Sequence, residues 1–234
     1  MMIRLSIIMP VFNEEDTVGA VAAEVLRQPS VYELVIVDDC SGDATGKRLE
    51  EIAEGDPRVK ILQHETNRGK GAALQTGFKH AQGDVVGVQD ADLEYDPSEY
   101  ERMLEPFRKY EADVVYGSRF QNSGEHRVVQ YWHSMGNRFL TLLSKMFSNL
   151  SLTDMETCYK FFRKDVLDSI ELQEKRFGFE PEITAKIARI PNLKIYEVPI
   201  NYNGRSYDEG KKIGWKDGVS AVKCIVKYNL FSSK

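Results

Sequence analysis

Apolar runs of strand length alternate with helix-like patterns along the first half of the chain. The predicted strands cover 5–9, 33–38, 59–63 and the start of 84–97, and the predicted helices cover 13–27, 41–53 and 69–81. Strands joined by helices at this spacing predict a mostly parallel sheet with right-handed crossovers. We therefore predict an α/β fold in which helices flank a mostly parallel central sheet.

The second half of the chain has a less regular pattern. We predict helices over 98–110, 134–150 and 215–231, strands over 113–119 and 194–202, and a polar, mobile loop over 121–130. Two of these helices, over 134–150 and 215–231, have a wide apolar face. We assign both faces to the hydrophobic core, in preference to contact with a membrane surface.

The stretch 84–97 is the one around which the other motifs are arranged. Its apolar run ends in three carboxylates, Asp90, Asp92 and Glu94, and the following Asp96 begins a helix-start pattern. Carboxylates two residues apart on an extended chain point the same way and repel each other unless a cation lies between them. Oxygen ligands of this kind suit Mg²⁺ or Mn²⁺. We favour a metal site here over a simple polar strand exit.

Polar residues also follow the other predicted strands. They include Asn13 and Glu14, Asp38 and Asp39, and Asn67 and Arg68. Ligands of parallel α/β sheets bind beyond the carboxyl ends of the strands, so we expect these side chains to meet in one crevice. The first strand is not followed by G-x-G-x-x-G, and the loop at 42–48 lacks the spacing and the Ser/Thr of a P-loop. A dinucleotide-binding Rossmann domain and a P-loop enzyme are therefore disfavoured.

Composition limits the classes of partner and compartment. The chain has 234 residues and a formal net charge of −5, which argues against broad binding to a nucleic-acid backbone. Its cysteines, Cys40, Cys158 and Cys224, form no C-x-x-C pair or disulfide framework, so we expect free thiols in the reducing cytoplasm. The apolar start of the chain has the pattern of a strand and not of a leader. No stretch is apolar for long enough to cross a membrane, so we expect membrane contact to be peripheral at most.

Basic residues later in the chain complement the acidic strand ends. Arg119 ends a predicted strand, and Arg205, Lys211 and Lys212 lie in a loop that contains several glycines. A nucleoside diphosphate would explain both sets of charges. The carboxylate cluster would hold a metal on the pyrophosphate, Asp39 would bond to a base or ribose, and Arg205 would close over the phosphates.

Six short motifs occur in order along the chain. They are Pro10-Val-Phe-Asn-Glu-Glu15, Val37-Asp-Asp-Cys-Ser-Gly-Asp43, Asn67-Arg-Gly-Lys-Gly71, Asp90-Ala-Asp92, Gly117-Ser-Arg119, and Asn203-Gly-Arg205 with Glu209-Gly-Lys-Lys212. Together they resemble the family 2 inverting glycosyltransferases of the GT-A fold. Within that family the chain is most similar to the dolichol- and polyprenol-phosphate mannosyl- or glucosyltransferases, and the likeness covers nearly the whole length.

The resemblance implies a site for a nucleotide-sugar donor and a divalent metal, Mg²⁺ or Mn²⁺. The positions that match the nucleoside, donor and phosphate contacts of the family are Pro10, Phe12, Glu14, Val37, Asp39, Asp90, Ala91, Arg119 and Lys211. Asp92 and Glu94 match its metal ligands. Asp92 and Arg205 are the residues implied to act in catalysis, where they neutralise the leaving diphosphate.

The implied reaction is transfer of a hexose from GDP-mannose or UDP-glucose, with inversion, to a polyprenyl or dolichyl phosphate. A phosphate acceptor is already anionic and needs no general base. A hydroxyl of a cell-surface glycan is the alternative acceptor, and it would need a base, for which Asp154 and Glu180 are the candidates. A non-catalytic nucleotide-sugar-binding protein is the alternative from another class.

The resemblance further implies that 1–234 form one domain. Residues 1–120 would bind the donor, and 121–234, with a mobile loop over 203–214, would face the acceptor. The chain departs from the family at Asp154-Met-Glu-Thr-Cys158, where many lipid-phosphate synthases carry Asp-Pro-x-Ser-Gly. It also lacks the C-terminal transmembrane helices of many members, and both differences bear on the acceptor.

Overall fold

The computed structural model describes residues 3–121, 131–204 and 215–231. Its strands are β1 (Leu5–Val11), β2 (Val31–Asp38), β3 (Val59–Gln63), β4 (Val85–Val88), β5 (Val114–Ser118), β6 (Lys160–Arg163) and β7 (Ile195–Pro199). These form one seven-stranded sheet in the order β3-β2-β1-β4-β6-β5-β7. Only β6 runs antiparallel to its neighbours. The predicted α/β fold with a mostly parallel sheet is therefore confirmed.

Helices connect the strands and cover the sheet. They are α1 (Val18–Arg27), α2 (Thr45–Gly55), α3 (Lys70–His80), α4 (Tyr100–Tyr110), α5 (Tyr131–Ser148), α6 (Lys164–Asp168), α7 (Phe179–Ile187) and α8 (Trp215–Val226). A 3₁₀ turn at Pro97–Glu99 precedes α4, and Asp96 accepts a hydrogen bond from the backbone N–H of Ser98 there. The predicted helix start at Asp96 is thus confirmed. A π-helical turn, Lys227–Phe231, follows α8.

The core lies between the sheet and its helices. Residues of β1 and β2 are buried on both faces, as expected for central parallel strands. α3 packs so closely on β1 that a Cβ atom at Gly77 would lie 2.2 Å from Cγ2 of Ile8. Glycine at position 77 therefore sets the distance between this helix and the strands that end at the site.

The helix predicted from Asn13 begins later, because Asn13 has another role. α1 starts at Val18, and Asn13 adopts a left-handed backbone conformation with φ 53°. Its backbone N–H donates to Oγ of Ser41, and its Oδ1 accepts from the N–H of Gly42. Asn13 thus joins the loops after β1 and β2 and does not cap a helix.

The prediction that the apolar face of α5 packs in the core is wrong. This helix buries the polar side chains of Thr141 and Ser144, whereas Phe139 and Met146 are exposed. On α8, Cys224 and Ile225 are buried as part of the inward face, but the predicted face position Val219 is exposed. Among the described residues, no helix combines the length and the apolar character needed to cross a membrane.

Candidate functional site

Four strands end at the same edge of the sheet. β1, β2, β4 and β5 point the same way. Phe12, Asp39 and Arg119 directly follow β1, β2 and β5, and Asp90 lies two residues after β4. Backbone bonds hold these ends together: the N–H of Asp39 donates to the carbonyl of Val11 at 2.8 Å, and that of Gln89 to Ile8 at 3.0 Å. Polar side chains widely separated in sequence therefore meet along one edge.

Asp39 organises the loop that leads into α3. Its Oδ1 bonds to Nδ1 of His64 at 2.6 Å and to the N–H of Arg68 at 2.9 Å, and its Oδ2 accepts from the N–H of Gly69 at 2.6 Å. Nε2 of His64 lies 2.9 Å from Oγ1 of Thr76. A neutral imidazole protonated on Nδ1 satisfies both contacts. Asp39 is nearly fully buried, so the structure gives it a positioning role that the sequence did not indicate.

The other predicted nucleoside positions differ in exposure. Phe12 is exposed at the end of β1, whereas Val37 is fully buried in β2 and packs in the core. Pro10 is half-buried in β1. Glu14 is fixed by its backbone N–H, which donates to Oγ1 of Thr45, and by Oε2, which accepts from a neighbouring threonine hydroxyl. Phe12 thus presents its ring to solvent at the end of β1, whereas Val37 is a core residue of β2.

Asp90 is paired with a lysine that the sequence did not single out. Nζ of Lys70 lies 2.8 Å from Oδ1 of Asp90 and 3.4 Å from Oε1 of Glu180. Burial disfavours the charged form of Lys70, but the carboxylates of Asp90 and Glu180 outweigh it and raise the pKa of Lys70. Lys70 lies inside the third sequence motif, 67–71, and that position was the only feature of the sequence that could have indicated its role. It joins the carboxylate cluster to the start of α7.

Asp92 and Glu94 lie in the turn after β4, where Ala91 is buried between them and Asp90. Oδ1 of Asp92 accepts from the N–H of Glu94 at 3.2 Å, and Oε2 of Glu94 accepts from the hydroxyl of Tyr202 at 2.7 Å. Within the described ranges, no group of three or more His, Cys, Asp or Glu side chains is placed to hold a metal ion. Mg²⁺ is often bound by only one or two carboxylates together with substrate phosphates. The pair formed by Asp92 and Glu94 fits that donor set.

Tyr202 connects the carboxylate turn with Arg119. Besides its bond to Glu94, Tyr202 forms an isolated β-bridge with Tyr95. The guanidinium carbon of Arg119 lies 5.1 Å from the centre of the Tyr202 ring, which is a cation–π distance. Burial, followed by the charge of Glu94, raises the pKa of Tyr202, so its hydroxyl stays protonated and donates. One side chain therefore contacts both charged parts of the site.

Arg119 and Asp154 form a buried ion pair. Nε and Nη2 of Arg119 donate to the two carboxylate oxygens at 2.6 and 2.8 Å, and the backbone N–H of Arg119 donates at 3.1 Å. Asp154 is fully buried, and Glu197 accepts its backbone N–H. Because Asp154 is fixed in this pair, it is poorly placed to act as a general base. Its role in the fold is to orient Arg119.

A second buried carboxyl group lies in the same segment. Oε1 of Glu156 is shielded from solvent and has no hydrogen-bond partner. The same is true of Oε2 of Glu180. Burial, together with the charge of Glu180, raises the pKa of Glu156 to about 8. Burial also lowers the pKa of Lys160, whose Nζ donates to the carbonyl of Thr157. Burial thus favours the neutral form of the Glu156 carboxyl group.

We expect Glu156→Gln to remove a pH dependence of stability. Glu156 ionises near pH 4.5 in the unfolded chain but near pH 8 in the folded one, so its contribution to stability is lost as the pH rises across this interval. The full shift corresponds to an upper bound of about 4 kcal/mol against the folded wild type at pH 8. The variant should therefore melt at least about 2–4 °C above the wild type there, which is the change expected for about 1 kcal/mol in a chain of this size. The two should melt together at pH 4. Glu50→Gln, at an exposed position of α2, is the control, and equal melting curves for Glu156→Gln at both pH values would contradict the assignment.

Several predicted residues lie outside the described ranges. These are Arg205, Lys211 and Lys212, together with most of the predicted loops at 121–130 and 203–214. The described chain reaches Gly204 beside the carboxylate turn, because the N–H of Asn203 donates to the carbonyl of Glu94 at 2.9 Å. Arg205 therefore follows directly on a segment that is bonded to Glu94.

Comparison with known proteins shows the family to which the chain belongs. The sequence profile described as Glycosyl transferase family 2 matches residues 6–171. The chain is 31% identical over 225 residues to undecaprenyl-phosphate mannosyltransferase of Micrococcus luteus, covering 94% of this chain and 91% of that protein. It is 27% identical to dolichol-phosphate mannosyltransferase of Pyrococcus furiosus, covering 90% of this chain but only 60% of that longer protein.

Solved structures agree with the fold. Glucosyl-3-phosphoglycerate synthase of Mycobacterium tuberculosis, solved with Mn²⁺, UDP and glucosyl-3-phosphoglycerate, superposes with a TM-score of 0.75 at 17% identity. The match covers 99% of this chain and 82% of that one. The sheet order, the strand-end site and the profile match lead to one conclusion: the chain belongs to glycosyl transferase family 2, and it is a glycosyltransferase of the GT-A fold.

Proposed function

We propose that this enzyme transfers a hexose from a nucleoside-diphosphate sugar, GDP-mannose or UDP-glucose, to a polyprenyl phosphate with inversion at the anomeric carbon. The observation that carries the proposal is the arrangement around Tyr202. Its hydroxyl bonds to Glu94 at 2.7 Å and its ring lies 5.1 Å from the guanidinium carbon of Arg119. Tyr202 thus contacts both Glu94, which belongs to a carboxylate pair suited to a metal, and Arg119, which is suited to a phosphate. The names of the related mannosyltransferases support the same acceptor class.

Each end of the donor has matching residues. Phe12 offers a face for the base, and Asp39 and Glu14 lie beside it for the nucleoside. Asp90, held by Lys70, faces the sugar and the diphosphate together with Ala91. In this assignment, 1–120 bind the donor and 121–234 face the acceptor. Lys211 would add positive charge to the phosphate side.

Asp92 and Glu94 would hold Mg²⁺ or Mn²⁺ on the diphosphate. The bound ion would supply positive charge against the charge that develops on the leaving group. Arg205, which follows the segment bonded to Glu94, would add a second positive charge there. Water would be kept from the sugar by the apolar and paired side chains beneath the strand ends.

No general base is required for a phosphate acceptor. The pairing of the buried carboxylates with basic side chains supports this choice of acceptor. Asp154 is bonded through both oxygens to Arg119, and Glu180 pairs with Lys70. Asp154 is therefore not poised to take a proton from a sugar hydroxyl, and Oε1 of Glu180 is engaged by Lys70. Arg119, oriented by Asp154, would bind a phosphate instead. A polyprenyl phosphate resides in a membrane, so the enzyme would work at the inner membrane face through peripheral contact.

Transfer from labelled donors tests the proposal directly. GDP-mannose and UDP-glucose would each be incubated with Mn²⁺ or Mg²⁺ and a short-chain, water-soluble polyprenyl phosphate. We expect one donor to yield a glycosyl phosphate of inverted configuration. A product formed only on hydroxyl acceptors would contradict the acceptor. Failure of every donor to bind, measured by a thermal shift, would contradict the enzyme assignment.

We expect Tyr202→Phe to weaken metal binding, so that more Mn²⁺ is needed for transfer, without unfolding the chain. Loss of the hydroxyl releases Oε2 of Glu94 from its fixed orientation, and residues that orient metal ligands are worth about 10–100-fold in affinity or activity. The measurement is the Mn²⁺ concentration that gives half-maximal transfer. Tyr110→Phe is the control, since Tyr110 is exposed and stacks on Tyr196 away from the site. An unchanged Mn²⁺ dependence in Tyr202→Phe would exclude this positioning role.

A further inference from the structure

α5 presents an apolar stripe to solvent. Met135, Phe139, Leu142 and Met146 are 41, 58, 56 and 73% exposed. At the 3.6-residue period of a helix, these positions fall within roughly 60° of one another. The opposite side of α5 buries Thr141 and Ser144 against the rest of the protein. The usual arrangement of a surface helix, with polar residues outward, is therefore reversed here.

The charge around this stripe is positive although the chain is acidic. α5 carries Arg138 and Lys145 and no Asp or Glu, while the whole chain has a net charge of −5. The segment 215–231 adds Lys223, which is exposed, and Lys227, which pairs with Glu174 at 2.9 Å. It packs against α5 and ends in exposed Leu230 and Phe231. Exposed apolar side chains among basic residues match an anionic lipid surface, where the apolar groups insert and the cations meet head groups.

The stripe is connected to the site through two contacts. The ring of Phe120 lies 5.8 Å from the guanidinium carbon of Arg119 and 5.7 Å from that of Arg138. The N–H of Met155, next to Asp154, donates to Oγ1 of Thr141 at 3.2 Å. α5 is thus built onto the segment that holds the Arg119–Asp154 pair. A lipid surface on α5 would lie beside the arginine assigned to phosphate.

We propose that the stripe Met135, Phe139, Leu142 and Met146 is a docking face for a membrane that carries anionic lipids. This inference rests on the proposed function, because a membrane at α5 brings the phosphate of a lipid acceptor to Arg119. A second copy of the chain would cover the apolar stripe equally well. However, a dimer formed through this stripe would place the basic residues of two α5 helices next to each other. Their repulsion is unfavourable, because α5 carries no acidic residue to offset it.

Vesicle binding tests the docking face without donor or acceptor. The full chain would be floated with vesicles of phosphatidylcholine alone or with added phosphatidylglycerol, both free of polyprenyl phosphate. We expect binding that is stronger with phosphatidylglycerol and at least about tenfold weaker in Phe139→Gln/Met146→Gln, because both side chains are exposed and insert into lipid. Tyr32→Gln, an exposed aromatic position on β2, is the matched apolar control and should bind like the wild type.

A charge-reversal pair tests the electrostatic part. Lys145→Glu should lose most of the preference for phosphatidylglycerol, whereas Lys79→Glu, the same change on an exposed position of α3, should keep it. Absence of wild-type binding to either vesicle, or equal binding of the double variant, would overturn the proposal. A wild-type dimer that the double variant converts to a monomer would assign the stripe to self-association instead. Transfer to the short-chain soluble acceptor should be unchanged in the double variant, so loss of the docking face and failure of the proposed function are distinguishable.

Discussion

Asp92→Asn is expected to abolish measurable transfer while leaving the fold intact. The substitution keeps the shape of the side chain, and its amide oxygen can still accept from the N–H of Glu94, as Oδ1 of Asp92 does at 3.2 Å. It removes the negative charge that would hold the metal on the leaving diphosphate. Electrostatic groups of this kind contribute about 10²–10³ in kcat each, and loss of the metal would exceed that. The measurement is kcat with saturating donor and Mn²⁺, together with the melting temperature.

Asp96→Asn is the matched control for this experiment. It removes the same charge four residues along the chain, but asparagine caps a helix about as well as aspartate, so the bond from the Ser98 N–H is kept. We expect wild-type transfer from Asp96→Asn. Normal transfer from Asp92→Asn would refute its assignment to the metal. An equal loss in both variants would show that the total charge of the turn matters and not the individual ligand.

Asp154→Asn is expected to damage both stability and transfer. The change leaves Arg119 without its buried counter-charge, and breaking one partner of a buried pair costs about 3–5 kcal/mol. For a chain of this size, the melting temperature should fall by about 10 °C. Below that temperature, transfer should still fall at least about 100-fold, because Arg119 is no longer held in the orientation that meets the phosphate.

The exposed pair of Arg4 and Asp84 provides the control for the buried one. Nη2 of Arg4 lies 2.9 Å from Oδ1 of Asp84, similar to the 2.8 Å between Nη2 of Arg119 and Oδ1 of Asp154. Both side chains of the exposed pair are accessible to water. Exposed pairs contribute at most about 1 kcal/mol. Asp84→Asn should therefore lower the melting temperature only slightly and leave transfer unchanged. If Asp154→Asn behaves like Asp84→Asn, then the buried pair has neither the structural nor the positioning role described above.

Sequence patterns predicted the elements of the sheet well because each strand is a local signal. β3 has the predicted bounds, Val59–Gln63, and the other strands of the first half differ from the predictions only at their ends. The collection of acidic and basic residues at one edge follows from the parallel direction of these strands. It could therefore be predicted before any contact was known.

The sequence could not give the direction in which α5 faces. A periodic pattern shows that a helix has an apolar and a polar side, and the usual expectation places the apolar side on the core. In α5 the hydroxyls of Thr141 and Ser144 fit against the protein, and the larger apolar side chains face outward. Only the shape of the neighbouring surface decides between the two orientations.

The contacts that support the site were also beyond the sequence. Tyr202 and Glu94 are separated by 108 positions, and Lys70 and Asp90 by 20. Neither tyrosine nor lysine stands out in composition, and the bonds depend on where β7 ends and α3 begins relative to β4. Asn13 was misassigned for a similar reason, because its partners Ser41 and Gly42 belong to the next loop. Tertiary contacts override local helix signals at such positions.

The single antiparallel strand has a consequence for the order of folding. β6 lies between β4 and β5, so these two strands have no partner on their facing edges until residues 160–163 have been synthesised and placed. A nascent chain that has emerged only as far as β5 therefore presents open strand edges at both β4 and β5, which are sites of aggregation. Insertion of β6 closes the facing edges of β4 and β5, and Asp154, the partner of Arg119, lies on the segment that leads into β6. The sheet is completed only when β7 pairs with the outer edge of β5. Because Glu197 of β7 accepts the backbone N–H of Asp154, assembly of this part of the site depends on both late strands.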